Sequence, residues 1–220
     1  MTKKFWDNKY QKNKCIWGER PSELAVAAVK YLKEYRLNDE LKILDIGCGY
    51  GRDIIYFSKH LKGYFLGIDT SEKGIEIARN TQKSKENINF RCCNFTEVED
   101  DGYDIVFIAN LYHLLKPAER EQFRKKIKEV LKPNGLLFLS AISINDREEY
   151  GKGVPVPDEL HSFQKDVYAH FFTKEELQKD FDFMILRELY EQEYDEPHIT
   201  GEIHHHISWI LIGEFVDNQY

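Results

Sequence analysis

Apolar positions along the first two thirds of the chain fall into two alternating rhythms. After Pro21-Ser22, the residues Leu24, Ala28, Tyr31, Leu32 and Tyr35 recur at helical spacing. A short apolar run over residues 41–46 follows and ends in Gly47-Cys48-Gly49-Tyr50-Gly51. Helical spacing then returns with Ile54, Phe57 and Leu61. The pattern repeats as a strand over 64–68 ended by Asp69-Thr70-Ser71, a helix from Glu72 to about Lys83, and strands over 88–92 and 103–109. A helix carrying Phe123, Ile127, Val130 and Leu131 leads through the turn Pro133-Asn134-Gly135 into a strand over 136–141. Strands apolar on both faces and separated by helices predict a parallel sheet covered on both sides.

The rest of the chain reads differently. Residues 1–18 are polar and aromatic without clear periodicity, with Trp6, Tyr10 and Trp17 standing out. Residues 143–172 hold glycines, prolines and charges, too long a stretch for an ordinary connection. Thr173-Lys174-Glu175-Glu176 has the form of a capping box opening a short helix, and strand-like runs follow over 183–189 and 207–215. At 220 residues the whole chain, 1–220, is expected to form one domain.

Composition removes several function classes. No stretch approaches the roughly 18 apolar residues of a membrane span, and the N-terminal Lys3-Lys4 is not followed by an apolar segment. A cytoplasmic protein without membrane partners is the expectation. The net charge is −7, with basic residues scattered among acidic ones, so no nucleic-acid partner is expected. Cys15, Cys48, Cys92 and Cys93 lack Cys-x-x-Cys spacing, which argues against a disulfide framework or a zinc motif.

The chemistry concentrates at Leu44-Asp45-Ile46-Gly47-Cys48-Gly49-Tyr50-Gly51-Arg52, a strand-to-helix junction. Glycines let a ligand approach the backbone, and the helix start offers unpaired N–H groups. The dinucleotide fingerprint Gly-x-Gly-x-x-Gly fails, because its sixth position is Arg52 counted from Gly47 and Ile54 counted from Gly49. Asp45 would repel a pyrophosphate but tolerates an ammonium group. Asp69, about 18 residues past the loop at the end of the next strand, is placed to accept ribose hydroxyls from an adenosine ligand.

Residues 44–52 closely resemble the first motif of class I S-adenosylmethionine-dependent methyltransferases, and Asp69-Thr70-Ser71 resembles the second. Tyr103-Asp104-Ile105-Val106 looks like the fourth, and Leu131-Lys132-Pro133-Asn134-Gly135-Leu136-Leu137 like the turn and strand after it. The resemblance covers residues 41–140 with the motifs in order. It implies a three-layer α/β/α Rossmann-like fold whose mostly parallel seven-stranded sheet has an antiparallel last strand. It also implies S-adenosyl-L-methionine as cofactor within a core spanning 41–141. By position in the family, Asp45, Gly47, Cys48 and Gly49 would face the aminocarboxypropyl chain, and Asp69 and Thr70 the ribose. The Asn94 side-chain oxygen would accept from the adenine amino group, the Phe95 N–H would meet the adenine ring, and Asn110 and Leu111 would flank the methionine moiety.

Methyl transfer is an in-line displacement, and a general base is needed only when the acceptor carries a proton at neutral pH. Asn110-Leu111-Tyr112-His113 is not the signature of exocyclic-amine methyltransferases, and no Pro-Cys pair of the cytosine-C5 kind is present. The expected acceptor is therefore a small molecule: a thiol, a chalcogen oxyanion, or a hydroxyl or amine metabolite. Candidate catalytic residues are Tyr112, His113, His204 and His206, the last two sharing one face of a hairpin over 193–206 that also holds His198. His161 and His170 fall on the same predicted edge. General base, metal or metalloid ligand, and plain rim or core histidine all stay open for this cluster, and no metal ligand is assigned.

Residues 1–22 loosely resemble the lid of the thiopurine and tellurite-resistance methyltransferases. There Trp17 would close over the sulfonium and Arg20 would pair with the cofactor carboxylate, although the aromatics also suit simple packing on the core. Residues 143–172 form the expected substrate-side insertion. Three rival readings are a catalytically silent protein of the same fold, a protein or RNA methyltransferase, and an NAD-dependent oxidoreductase, the last opposed by Arg52 and Asp45.

Overall fold

The structure is a computed structural model that describes residues 3–35, 40–82, 86–197 and 203–216. In chain order the elements are α1 (Lys3–Lys12), α2 (Glu23–Tyr35), β1 (Leu41–Ile46), α3 (Arg52–His60), β2 (Gly63–Asp69), α4 (Glu72–Thr81), β3 (Ile88–Cys92) and β4 (Tyr103–Ile108). They continue with α5 (Pro117–Val130), β5 (Leu131–Ile142), β6 (Val154–Pro155), β7 (Ser162–Gln164), β8 (Tyr168–His170), α6 (Lys174–Asp180), β9 (Met184–Pro197) and β10 (Ile203–Phe215).

The main sheet has seven strands in the order β3-β2-β1-β4-β5-β10-β9. Pairings among the first five are parallel, and β10 runs antiparallel to both β5 and β9. This is the expected three-layer fold. Strand alternation divides its core in two. Leu44, Ile46, Val106 and Ile108 face Phe123, Ile127 and Val130 of α5 and Leu177 of α6. Ile43, Phe65, Ile105 and Phe107 face Leu24, Ala28 and Leu32 of α2, Ile54 and Phe57 of α3, and Ile75 of α4. Strand order reverses between β1 and β4, so their carboxyl ends open a crevice at the switch point.

Three regions depart from the sequence expectation. The N-terminal segment is helical in α1 although it has no apolar stripe. It is held instead by Asp7, whose Oδ1 accepts from Ser71 Oγ at 2.6 Å and from the Lys73 N–H at 3.1 Å at the start of α4. Residues 143–172 contain a small antiparallel sheet, β6-β7-β8. The last two strands run far past the limits set by apolar pattern. Beyond the Ser208↔Ile142 pairing their only strand partners are each other, with contacts to Ser143 and Asp146 in place of a further strand, so no alternating apolar face marks their sequence. Lys83, predicted to end α4, and His198, Gly201 and Glu202 of the hairpin lie outside the described residues.

The capping box of α6 is formed as read. Thr173 Oγ1 accepts from the Glu176 N–H at 3.2 Å, and Glu176 Oε2 accepts from the Thr173 N–H at 2.8 Å. Burial by itself raises the Glu176 pKa, but His170, at 3.4 Å, and the Thr173 N–H outweigh it and bring it from 4.5 down to about 2. A depressed carboxylate pKa stabilises the fold above its unfolded value, and that contribution is lost as pH falls from 4.5 towards 2. Urea unfolding of wild type and Glu176→Gln should therefore show a wild-type advantage at neutral pH that shrinks through this acidic window. A constant difference across it would refute the linkage.

Candidate functional site

The crevice is built from the backbone outward. At the end of β1 the Gly47 and Cys48 N–H groups donate to the Ile68 carbonyl at 2.8 and 3.0 Å, tying the glycine loop to β2. Gly49 and Gly51 stand at φ of 53° and 80°, where a side chain is strained. A Cβ on Gly49 would lie 2.4 Å from Tyr10 Oη, and one on Gly51 would lie 2.7 Å from the Phe90 ring. The first glycine admits the N-terminal helix over the loop, and the second lets α3 start against β3.

A cavity of about 360 Å³ opens above this loop. Asp45, Gly47, Cys48, Gly49, Asp69, Thr70, Asn94, Phe95, Asn110, Leu111 and Trp17 all line it. Asp69 anchors its floor, Oδ2 accepting from the Gly49 N–H at 2.9 Å and Oδ1 from the Ser71 N–H at 2.8 Å. Burial raises the Asp69 pKa, and those two N–H groups only partly offset it. Asp45 is 2% exposed, and burial, reinforced by Asp53 and Asp69, pushes its carboxyl well above the usual range. A cation arriving beside it would relieve that cost.

Residues 43–135 match a family model described as a methyltransferase domain. The chain carries a methyltransferase domain. EEF1A lysine methyltransferase 2 of Danio rerio is 24% identical over 160 residues, which is 64% of this chain and 68% of that protein. The chain spans about half the length, or somewhat less, of the other curated relatives considered. Among solved structures, an S-adenosylmethionine-dependent methyltransferase from Methanosarcina mazei superposes with a TM-score of 0.68 at 24% identity, covering 84% of this chain and 97% of that one. The 1,6-didemethyltoxoflavin N1-methyltransferase of Burkholderia thailandensis, with its substrate and S-adenosylhomocysteine bound, gives 0.69 at 17% identity, covering 98% and 87%. These likenesses show a shared fold.

The chain has a second cavity, of about 440 Å³, which shares Trp17, Arg52 and Asn110 with the first. Arg20 lines this second cavity and not the first. Asn110 stands where the two meet. Its φ is 54°, a conformation rare outside glycine, and its N–H donates to Ser140 Oγ at 3.0 Å while that hydroxyl donates back to Asn110 Oδ1 at 3.1 Å.

Aromatic rings roof the first cavity. Trp17 stacks on Tyr50 at 6.3 Å and 17°, and Tyr10 and Trp6 pack against this pair. Residues of the glycine loop and of the start of α3 fasten this cover. Tyr50 Oη donates to the Gly18 carbonyl at 2.7 Å, Arg52 donates to the Trp17 carbonyl at 3.1 Å, and Asp53 accepts from the Ser22 N–H and hydroxyl at 2.7 and 2.8 Å. None of these three residues was among the expected site residues. The available signal was their place in the chain, Tyr50 within the loop and Arg52 and Asp53 on the first turn of α3.

Asn94 lines the cavity, but its Oδ1 already accepts from the Thr96 N–H at 3.0 Å and from Thr96 Oγ1 at 3.1 Å. With both lone pairs engaged in its own turn, Asn94 offers the cavity its amide N–H₂ rather than the expected acceptor.

None of the four candidate catalytic residues lines either cavity, although His206 stands directly behind the second. Tyr112 is fully buried among Phe123, Phe172 and Phe181, with its hydroxyl donating to Asp180 at 2.7 Å and accepting from Arg124 at 2.9 Å. His113 has a buried Nδ1 with no hydrogen-bond partner among the described residues. Burial first, then His206 and His170, lower its pKa to about 3, too low for an efficient base at neutral pH. The His204 and His206 rings stack at 6.0 Å, and His204 Nδ1 lies 4.0 Å from Glu148. His206 Nδ1 lies 3.0 Å from Asp146 Oδ2, and the same carboxylate accepts from the N–H groups of Ile207, Glu148 and Glu149. Among the described residues, no group of three or more His, Cys, Asp or Glu side chains is arranged to hold a metal ion.

The placement of Tyr112 generates a prediction. Tyr112→Phe should lower stability by about 1–2 kcal/mol, because it strands the half-buried Asp180–Arg124 pair without its shared partner. Denaturant unfolding checks the loss, and S-adenosylhomocysteine affinity should stay unchanged. A large fall in that affinity with intact stability would return Tyr112 to the site.

Proposed function

We propose that this domain binds S-adenosyl-L-methionine in the first cavity and transfers its methyl group to a small acceptor held in the second. The observation that carries the reading is the junction of two cavities at the switch point of the sheet, through Trp17, Arg52 and Asn110. The donor set suits the cofactor. Asp69 ends β2 with its carboxylate towards the crevice for ribose hydroxyls, Asp45 provides a buried partner for an ammonium group, and the aromatic roof suits a sulfonium. Bound there, S-adenosylmethionine supplies an electrophilic methyl group.

The protein's own contribution is alignment and exclusion of water. Trp6, Tyr10 and Trp17 cover the crevice, and Asp7 and the Lys3–Glu72 ion pair, at 2.5 Å, tie that cover to α4. Asn110, held by Ser140, lies where the donor and the acceptor would meet. The lid of residues 1–22, the core 41–141, the insertion 143–172 and the hairpin 193–206 would act as one catalytic unit. The free thiols, among them the exposed Cys92, support placing it in the reducing cytoplasm.

Calorimetric titration with S-adenosylhomocysteine, using NAD as the control, tests the reading. One-to-one binding of the first and none of the second is expected. Asp69→Ala should weaken S-adenosylhomocysteine by about tenfold or more, the scale of a lost charged hydrogen bond. Normal affinity in that variant would remove Asp69 from the site.

A further inference from the structure

The second cavity carries a charge pattern that bears on its occupant. Four acidic residues line it, Glu19, Glu23, Asp195 and Glu196, with Arg20 and Arg52, but the Asp195 carboxylate is turned to His205 at 3.0 Å on the other face of β9. Three of these acids are exposed, whereas the Glu196 side chain is only 12% exposed. The Arg52 guanidinium is already engaged, donating to the Trp17 carbonyl at 3.1 Å and facing Glu196. Glu196 is held from two sides, with Oε1 3.8 Å from Arg52 Nη2 and Oε2 3.9 Å from His206 Nε2. Behind His206 stands Asp146, whose side chain is fully buried and whose carboxylate takes the other imidazole nitrogen. Burial lowers the His206 pKa, but Asp146 and Glu196 outweigh it and leave it above its ordinary value, which favours an imidazolium between the two carboxylates. Two aromatic walls, Trp17 and Tyr194, complete the cavity.

Resting on the assignment of the first cavity to the methyl donor, we propose that the second cavity takes an acceptor bearing a basic nitrogen, and that Glu196 is the residue that selects it. The argument is one of charge in a partly enclosed space. A chalcogen oxyanion or a thiolate would meet the Glu196 carboxylate at the deep end, where the nearby cations Arg52 and His206 already face that carboxylate. An alkylammonium meets the opposite field, aromatic faces that attract cations, and a carboxylate held at the junction side. The Asp146–His206 pair acts through Glu196, as a positioning element that holds the carboxylate in place.

The chemistry balances without a further reactant. The bound ammonium first gives one proton to water. The lone pair of the resulting amine forms the new N–C bond while the S–C bond breaks and its electrons stay on sulfur. The products are a methylated ammonium ion and S-adenosylhomocysteine, and Glu196 accepts an N–H of the nitrogen while its lone pair is directed at the methyl carbon.

The test measures S-adenosylhomocysteine production by the full chain with a panel of amines that includes tryptamine, histamine and putrescine. Selenite and 2-mercaptoethanol serve as the oxyanion and thiol probes. Turnover of one or more amines is expected, with Glu196→Gln raising KM for that amine by at least about tenfold, changing kcat less, and leaving S-adenosylhomocysteine affinity within about threefold. Turnover of selenite or thiol alone overturns the proposal, as does an unchanged KM in Glu196→Gln. A parallel fall in S-adenosylhomocysteine affinity in that variant assigns Glu196 to the donor cavity and overturns its selecting role. Binding of S-adenosylhomocysteine with no amine accepted overturns the acceptor class and leaves the cofactor reading standing. Absence of S-adenosylhomocysteine binding overturns both.

Discussion

The parallel pairing of β1 between β2 and β4 is the constraint on which the rest of the molecule depends. It brings Ile46, Ile68 and Ile108 to one edge of the sheet, and strand order reverses beside β1, so the connections from β1 and β4 part and leave a crevice. The glycine loop exists to leave β1 without filling that crevice. Its two N–H bonds to Ile68 and the bond from Gly49 to Asp69 fasten the turn to β2. One carboxylate thereby shapes the loop and faces the cavity, which couples the architecture of the turn to the ligand it can hold.

A second dependency runs outward from the same turn. Tyr50, Arg52 and Asp53 reach over to residues 17–22, while Tyr10 rests on Gly49. The N-terminal cover is therefore attached to the glycine loop itself, and Trp17 belongs to both cavities. The two cavities thus share a wall built from these few contacts. Arg52 lies at the centre of this arrangement, under Trp17 at 5.7 Å and facing Glu196 from the hairpin.

Legibility in the sequence followed burial. Strands β1 to β4 and helices α2 to α5 have apolar positions on the spacing their packing needs, so period alone placed them. Helix α1 and the outer halves of β9 and β10 lack that signature. The first is held by Asp7 and by rings packed on the loop, and the others pair with each other beyond the edge of the core. The residues that line the first cavity were readable because they follow strand ends. The histidines were not, since chain position could say that they gather near one edge but not which way each ring turns.

The sequence by itself determined the alternation of elements, the position of the glycine loop, and the acidic residues that end β1 and β2, because each is a local pattern enforced by backbone geometry or by burial. Tertiary structure alone decided that Tyr112 turns into the core, that Asn94 spends its oxygen on its own turn, and that Asp146 and His206 meet from 60 residues apart. It also decided that Glu196 faces Arg52 across the second cavity. The physical reason is that hydrogen bonds and ion pairs between distant segments depend on side-chain direction and separation in space. Neither leaves a periodic trace along the chain.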